Sequence, residues 1–313
     1  MRKPGRLKIA FVGSGGAARG LSHFGVLRAC EDLGIHPEIY VGASAGAVVA
    51  ATYGQDIPLD VLLDGYRLPW RRRHSGPRLH TSTFLGAPSA RDFLDPGYLL
   101  SGAFSIDKLE RYLAKHLPIN DFRALPQPVF VTAVDVDTGK RVVFGPGHDD
   151  KTPISQAVAA SFCLPGVFRP FRIGNRYYLT GEMVKTLSAD VAIAAGADVV
   201  IISNVYTPEK RGENMRSIAR STVSSVIRQS VNIVLMEKEQ RGVELLAKSH
   251  PSVTFLEVAP EVGSFGYLNR FAVRPLMLKG YKTALRVLSE AKEKGVFNEA
   301  PGISAEPVDT TLN

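Results

Sequence analysis

Cysteine is scarce in this chain: Cys30 and Cys163 are the only two in 313 residues, and they sit far apart without a CxxC spacing. That excludes a disulfide framework and a cysteine metal knuckle, and it points to a reducing cytosol. No apolar stretch reaches the roughly 20 residues that a spanning helix requires. Val41 to Tyr53 and Val191 to Ser203 come nearest, and both are rich in small residues. The basic segment Met1 to Leu7 leads into a strand-length apolar run and then Gly13-Ser14-Gly15-Gly16, with no cleavage site, so no signal peptide is expected. A cytoplasmic protein follows, soluble or peripheral at the inner membrane face. Internal repeats and nucleic-acid motifs are also missing, and no nucleic-acid partner is expected.

What is present begins with enough apolar sequence, 45% of residues, to bury a full core. The 38 Lys and Arg exceed the 30 Asp and Glu, which leaves +8 and favours anionic partners. Leu7 to Val12 reads as a strand, and Gly20 to Leu33 repeats apolar residues at helical spacing. Glu38 to Val41 and the Ala- and Val-rich stretch up to Tyr53 repeat that order. Val129 to Val134 and Val199 to Ser203 supply two more buried strands. The alternation implies α/β layers. Gly65 to Gly102 reads as irregular surface loop and short helix, Ser105 as a helix cap, and Arg274 to Lys294 as a last helix. Val223, Val226, Ile227, Val231, Val234 and Leu235 share one helical face, read here as core or subunit packing. The expected organisation is an N-terminal extension over 1–6, one domain over 7–300 and a disordered tail over 301–313.

Two glycine motifs carry chemistry. In Gly42-Ala43-Ser44-Ala45-Gly46 a serine stands where strand meets helix, and glycine two residues away on either side removes the side chains that would collide in so sharp a turn. Ser44 is then a nucleophile at a helix N-terminus, which favours developing negative charge. Gly13-Ser14-Gly15-Gly16-Ala17-Ala18-Arg19-Gly20 also follows a strand and opens a helix, so its amides can converge on an anion. Read as a dinucleotide fingerprint it lacks the acid that should close the next strand, where Val41-Gly42-Ala43-Ser44 stands. Read as a P-loop it lacks the Lys-Ser/Thr pair after Gly20. An α/β-hydrolase would place the elbow after several strands and follow it with an acid and a histidine. None of His74, His80, His116, His148 and His250 has the setting of a catalytic base.

The chain resembles the patatin-like phospholipase family. Gly15 to Leu27 is similar to that family's oxyanion loop and first helix, and Val41 to Ala47 to its nucleophile elbow. Gly97 to Gly102, Thr132 to Asp135 with Thr138-Gly139, Ala160 to Phe168, and Gly196-Ala197-Asp198 follow the same course. The resemblance implies a three-layer α/β/α fold with a mainly parallel central sheet. It also implies hydrolysis of lipid acyl esters by a Ser-Asp dyad without metal or cofactor, with Gly15, Gly16 and Ala17 as the oxyanion hole. It places the dyad aspartate just after Arg176-Tyr177-Tyr178-Leu179, where this sequence has Thr180-Gly181-Glu182. Ala17 replaces the loop's third glycine, a mild change unless that position needs positive φ.

A threonine cannot take a proton from Ser44 near neutral pH, and general-base assistance is worth about 10²–10⁴ in rate. Three expectations follow. Glu182 supplies the carboxylate of a working hydrolase; or an acyl-Ser44 species forms and turns over slowly; or the protein binds or regulates lipid without catalysis. Trp70-Arg71-Arg72-Arg73, with Arg67 and Arg78, has the composition of a contact with an anionic membrane, or of a solvated loop. The sequence leaves the oligomeric state open.

Overall fold

The computed structural model describes residues 6–58, 61, 83, 86, 95–185, 187–206, 217–220, 222–262 and 273–298. Within them the apolar runs become the strands of an eight-stranded sheet. β1 (Ile9–Gly13), β2 (Ile39–Gly42), β4 (Val129–Asp135), β9 (Val199–Ser203) and β10 (Thr254–Val258) lie parallel in the order β10-β9-β1-β2-β4. Beyond β4 the sheet turns antiparallel, through β8 (Arg176–Thr180) and then β7 (Phe171–Ile173), while β5 (Arg141–Phe144) also pairs with β4. A separate parallel pair joins β3 (Gly102–Phe104) to β6 (Gly166–Phe168).

Side chains alternate across a strand, and both faces here are apolar, as a sheet covered on both sides requires. Phe11, Tyr40 and Ile201 point to one side. There they pack with α1 (Leu21–Asp32), α2 (Ala45–Tyr53), α3 (Asp107–His116), α4 (Ile154–Phe162) and the last helix, α7 (Val273–Glu293). Ala10, Val12, Ile39, Val41, Val200 and Ile202 point to the other, against α5 (Ala189–Ala194) and Val243 and Leu246 of the long helix α6 (Val223–Ser249). The expected three-layer α/β/α fold with a mainly parallel sheet is the observed one.

The strand and helix at the N-terminus, β2, β4, β9 and the last helix match their sequence-based bounds within two residues. The helix after Ser105 starts at Asp107; Ser105 Oγ accepts from the Asp107 N–H at 3.1 Å and donates to its carboxylate at 2.6 Å. Trp70 to Arg73, Arg67, Arg78 and the tail from 301 lie outside the described residues. The face of α6 shared by Val223 to Leu235, expected to serve core or subunit packing, is exposed at Val223, Val226, Ile227, Val231 and Val234, which overturns the core half of that expectation. From this helix Asn232 accepts from Arg19, and Lys238 reaches the Glu182 carbonyl. Among the described residues no helix is long and apolar enough to cross a membrane.

Candidate active site

The site forms where β1, β2 and β8 end. Ser44 joins β2 to α2 with φ 52° and ψ −117°, a conformation costly for a residue with a Cβ. Neighbouring groups hold it there. The Ser44 N–H donates to Ser161 Oγ at 2.8 Å, and Ser161 donates onward to the Thr132 carbonyl at 2.7 Å. The Ala43 and Gly46 amides donate to the Gly13 and Ser14 carbonyls, so the elbow is laced to the glycine loop. A Cβ on Gly46 would run into those same two carbonyls, and one on Gly42 into Gly46. The two glycines of the pentapeptide are therefore fixed by backbone contact.

The glycine loop hangs from β9. Ser14 N–H donates to the Ser203 carbonyl, and Ser14 Oγ accepts from the Val205 N–H, both at 3.0 Å. Beneath it, fully buried His23 reaches the Ser14 carbonyl with Nε2 at 2.8 Å and Ser203 Oγ with Nδ1 at 2.6 Å. A carbonyl can only accept, so Nε2 carries the proton and Nδ1 accepts the Ser203 hydroxyl. Burial lowers the pKa of this ring to about 4. His23 is a neutral clamp on the loop.

Glu182 comes from the turn after β8, and its side chain points into the loop. Its Oε1 accepts the Gly15 N–H at 2.9 Å, and its Oε2 has no hydrogen-bond partner among the described residues. A Cβ built on Gly15 would lie 2.9 Å from Ser44 Cβ, 2.9 Å from the Glu182 carboxyl carbon and 2.6 Å from the Tyr206 hydroxyl. The serine, the carboxylate and the phenol thus meet around one point that only glycine leaves open. The Ser44 hydroxyl makes no hydrogen bond among the described residues.

The environment of Glu182 sets its chemistry. Burial pushes the carboxyl pKa up to about 8; hydrogen bonds from the Tyr206 hydroxyl and the Gly15 amide pull against that, Glu239 raises it further, and Lys238 lowers it. Lys238 also donates from Nζ to the Glu182 carbonyl at 2.6 Å. A carboxylate that titrates near neutral pH is suited to proton transfer.

Of the three expected oxyanion donors, Gly15 spends its amide on Glu182. The Gly16 and Ala17 amides make no hydrogen bond among the described residues. Ala17 has φ 52°, the positive-φ condition under which its replacement of glycine carries a conformational cost. Thr180, at the end of β8, donates its amide to the Cys163 carbonyl at 2.9 Å, and its buried Oγ1 has no partner among the described residues. Asp135 does not stand in for the missing acid: it accepts the Asp137 and Thr138 amides and pairs with Arg176.

Sequence reasoning missed Tyr206, Asn232 and Lys238. Arg19 of the loop donates to Asn232 at 3.0 Å and lies 5.4 Å from the centre of the Tyr206 ring. These residues follow β9 or sit on α6, in segments with no motif to mark them. Among the described residues no three His, Cys, Asp or Glu side chains cluster as a metal site would need. Cys30 and Cys163 are buried free thiols, with burial raising both pKa values.

Comparison with known proteins bears on the site as a whole. An uncharacterized NTE family protein of Mycobacterium tuberculosis is 28% identical over 194 residues, 62% of this chain and 48% of that protein. The mouse patatin-like phospholipase domain-containing protein 6 is 27% identical over 204 residues, 64% of this chain and 14% of that protein. The chain thus spans less than half the length of these curated relatives. VipD from Legionella pneumophila is similar in structure with a TM-score of 0.48 at 14% identity, over 92% of this chain and 67% of that one. The patatin-like phospholipase family itself matches residues 11–193, from β1 through the elbow and Glu182 to α5, and the chain belongs to that family.

Proposed function

We propose that this protein is a lipid acyl hydrolase in which Ser44 is the nucleophile and Glu182 takes the place of the family's dyad aspartate. The observation that carries this is the convergence of Ser44 and Glu182 on the space that a Cβ on Gly15 would fill. Membership of the family supports a fatty acyl ester as substrate. In the proposed reaction the Glu182 carboxylate takes the Ser44 hydroxyl proton as Oγ attacks the ester carbonyl carbon. The oxyanion accepts from the Gly16 and Ala17 amides. Collapse expels the alcohol, which leaves with the proton from Glu182. Water then attacks the acyl-Ser44 ester, losing a proton to Glu182, which passes it to Ser44 Oγ as the acid leaves.

Oε1 is held by the Gly15 amide and Oε2 is unspent, so one carboxylate oxygen can be anchored while the other accepts the serine proton. Glutamate is one methylene longer than aspartate and starts two residues later than Thr180, which lets it reach back to the same serine.

A second reading has its own observation. The Ser44 hydroxyl is not hydrogen-bonded to Glu182, and one expected oxyanion donor is already occupied. Both favour a lipid-binding or regulatory protein that has set catalysis aside. A fluorophosphonate probe separates the two. The hydrolase reading predicts Ser44-dependent labelling that slows about 10²–10⁴-fold in Glu182→Gln. Labelling that is absent in the wild type, or indifferent to Glu182, supports the second reading.

A further inference from the structure

A glutamate has one more side-chain torsion than an aspartate, so more must be done to hold its carboxylate in a productive place. Glu182 is held at both ends. Its carboxylate takes the Gly15 amide at 2.9 Å and a hydrogen bond from the Tyr206 hydroxyl, and its backbone carbonyl takes the Lys238 ammonium at 2.6 Å. Glu182 is the middle residue of the turn Gly181–Met183. That turn is pressed onto β4, since a Cβ on Gly181 would lie 2.5 Å from both the carbonyl oxygen and the hydroxyl oxygen of Thr132. The contact with β4 fixes where the turn begins, and the lysine fixes where the Glu182 carbonyl points.

Lys238 comes to this carbonyl from α6, beyond the residues 11–193 over which the family matches. A lysine on a surface helix ordinarily leaves its ammonium in water. Lys238 is instead half-buried, and burial lowers its pKa against the opposing pull of Glu239 and Glu182. Desolvating a cation to reach a neutral carbonyl is unfavourable by itself, and the nearby carboxylate offsets it. The groups acting on the Glu182 carboxyl are Tyr206, with Arg19 over its ring, the Gly15 amide, and Lys238 and Glu239 from α6. Lys238 supplies positive charge there against the negative charge of Glu239. Six residues earlier on the same helix, Asn232 accepts from Arg19 of the glycine loop at 3.0 Å, so α6 is bonded both to the acid's turn and to the loop.

We propose that Lys238 is a positioning residue for Glu182: its ammonium pins the turn that carries the acid and keeps positive charge beside the carboxylate that converges on Ser44. This deepens the proposed function and rests on it for the reaction. The hold on Glu182 can be measured without turnover.

The test compares the wild type with Lys238→Met, which removes the charge, and Lys238→Arg, which keeps it. Carbon-13 NMR of protein labelled at the glutamate carboxyl carbon follows the titration, with Glu182→Gln identifying the Glu182 signal. Loss of the cation favours the neutral acid, so the midpoint, about 8 in the wild type, moves higher in Lys238→Met and returns toward the wild type in Lys238→Arg. Hydrolysis of a short p-nitrophenyl ester at pH 7 should show kcat about tenfold lower in Lys238→Met with KM unchanged, and a pH–rate midpoint that moves with the carboxyl's. A carboxyl midpoint unmoved in Lys238→Met overturns the inference, even where kcat falls, because a merely structural residue would act that way. So does a midpoint as displaced in Lys238→Arg as in Lys238→Met. An inactive wild type whose carboxyl midpoint still moves supports the hold of Lys238 on Glu182 and counts against the hydrolase alone.

Discussion

In the proposed hydrolase, Glu182 is the residue on which the chemistry turns. Its pKa near 8 means that the base form appears only as pH rises through that value, so a Glu182-dependent rate climbs from neutral to alkaline pH. Tyr206 acts on Glu182, since its hydroxyl hydrogen-bonds to the carboxylate and favours the ionised form. Tyr206→Phe should therefore move the midpoint of the pH–rate profile above that of the wild type with the plateau retained. An unchanged midpoint would show that the phenol does not tune the acid. Ser44 was legible because its motif is local. Glu182 was reached only by its nearness in sequence to Thr180. Tyr206 and Lys238 were hidden because they come to the site through the fold, from segments whose composition says nothing of it.

At the scale of elements, the elbow depends on α4. Ser161 accepts from the Ser44 amide and donates to the Thr132 carbonyl, joining α4, the elbow and β4 in one chain of bonds. Ser161→Ala would strand a buried amide and a buried carbonyl, costing about 1–3 kcal/mol. Denaturant unfolding should show that loss, together with a lower kcat as Ser44 is freed from its strained backbone angles. The long parallel strands were readable because both their faces are buried, which writes them as continuous apolar runs. The short strands β5, β7 and β8 were not, since each carries an arginine, Arg141, Arg172 or Arg176, in a run of five residues or fewer. The periodicity of α6 named the residues that share a face. It could not say which face turns inward, and here the polar one does.

For the whole molecule, two buried groups bend the dependence of stability on pH in opposite senses. His23 binds its proton less readily folded, near pH 4, than its ordinary 6.5, so stability contributed by the neutral ring is lost as pH falls from 6.5 toward 4. Glu182 holds its proton more tightly folded, near 8, than its ordinary 4.5, so the neutral acid's contribution is lost as pH rises from 4.5 toward 8. Between 4.5 and 6.5 the two offset each other. Above 6.5 only Glu182 acts, and the wild type should lose about 2 kcal/mol by pH 8. Thermal melts across that interval should show a falling Tm for the wild type and a flat one for Glu182→Gln. Parallel curves would mean that Glu182 ionises without cost and is not enclosed.

The central claim is that Ser44 and Glu182 act as a pair. The most direct measurement is hydrolysis of a short p-nitrophenyl ester by the wild type, Ser44→Ala and Glu182→Gln, followed from mildly acidic to alkaline pH. The paired site predicts a wild-type rate that rises through pH 8, with loss of both the rate and its titration in each variant. A wild-type rate no greater than that of Ser44→Ala at every pH would contradict it.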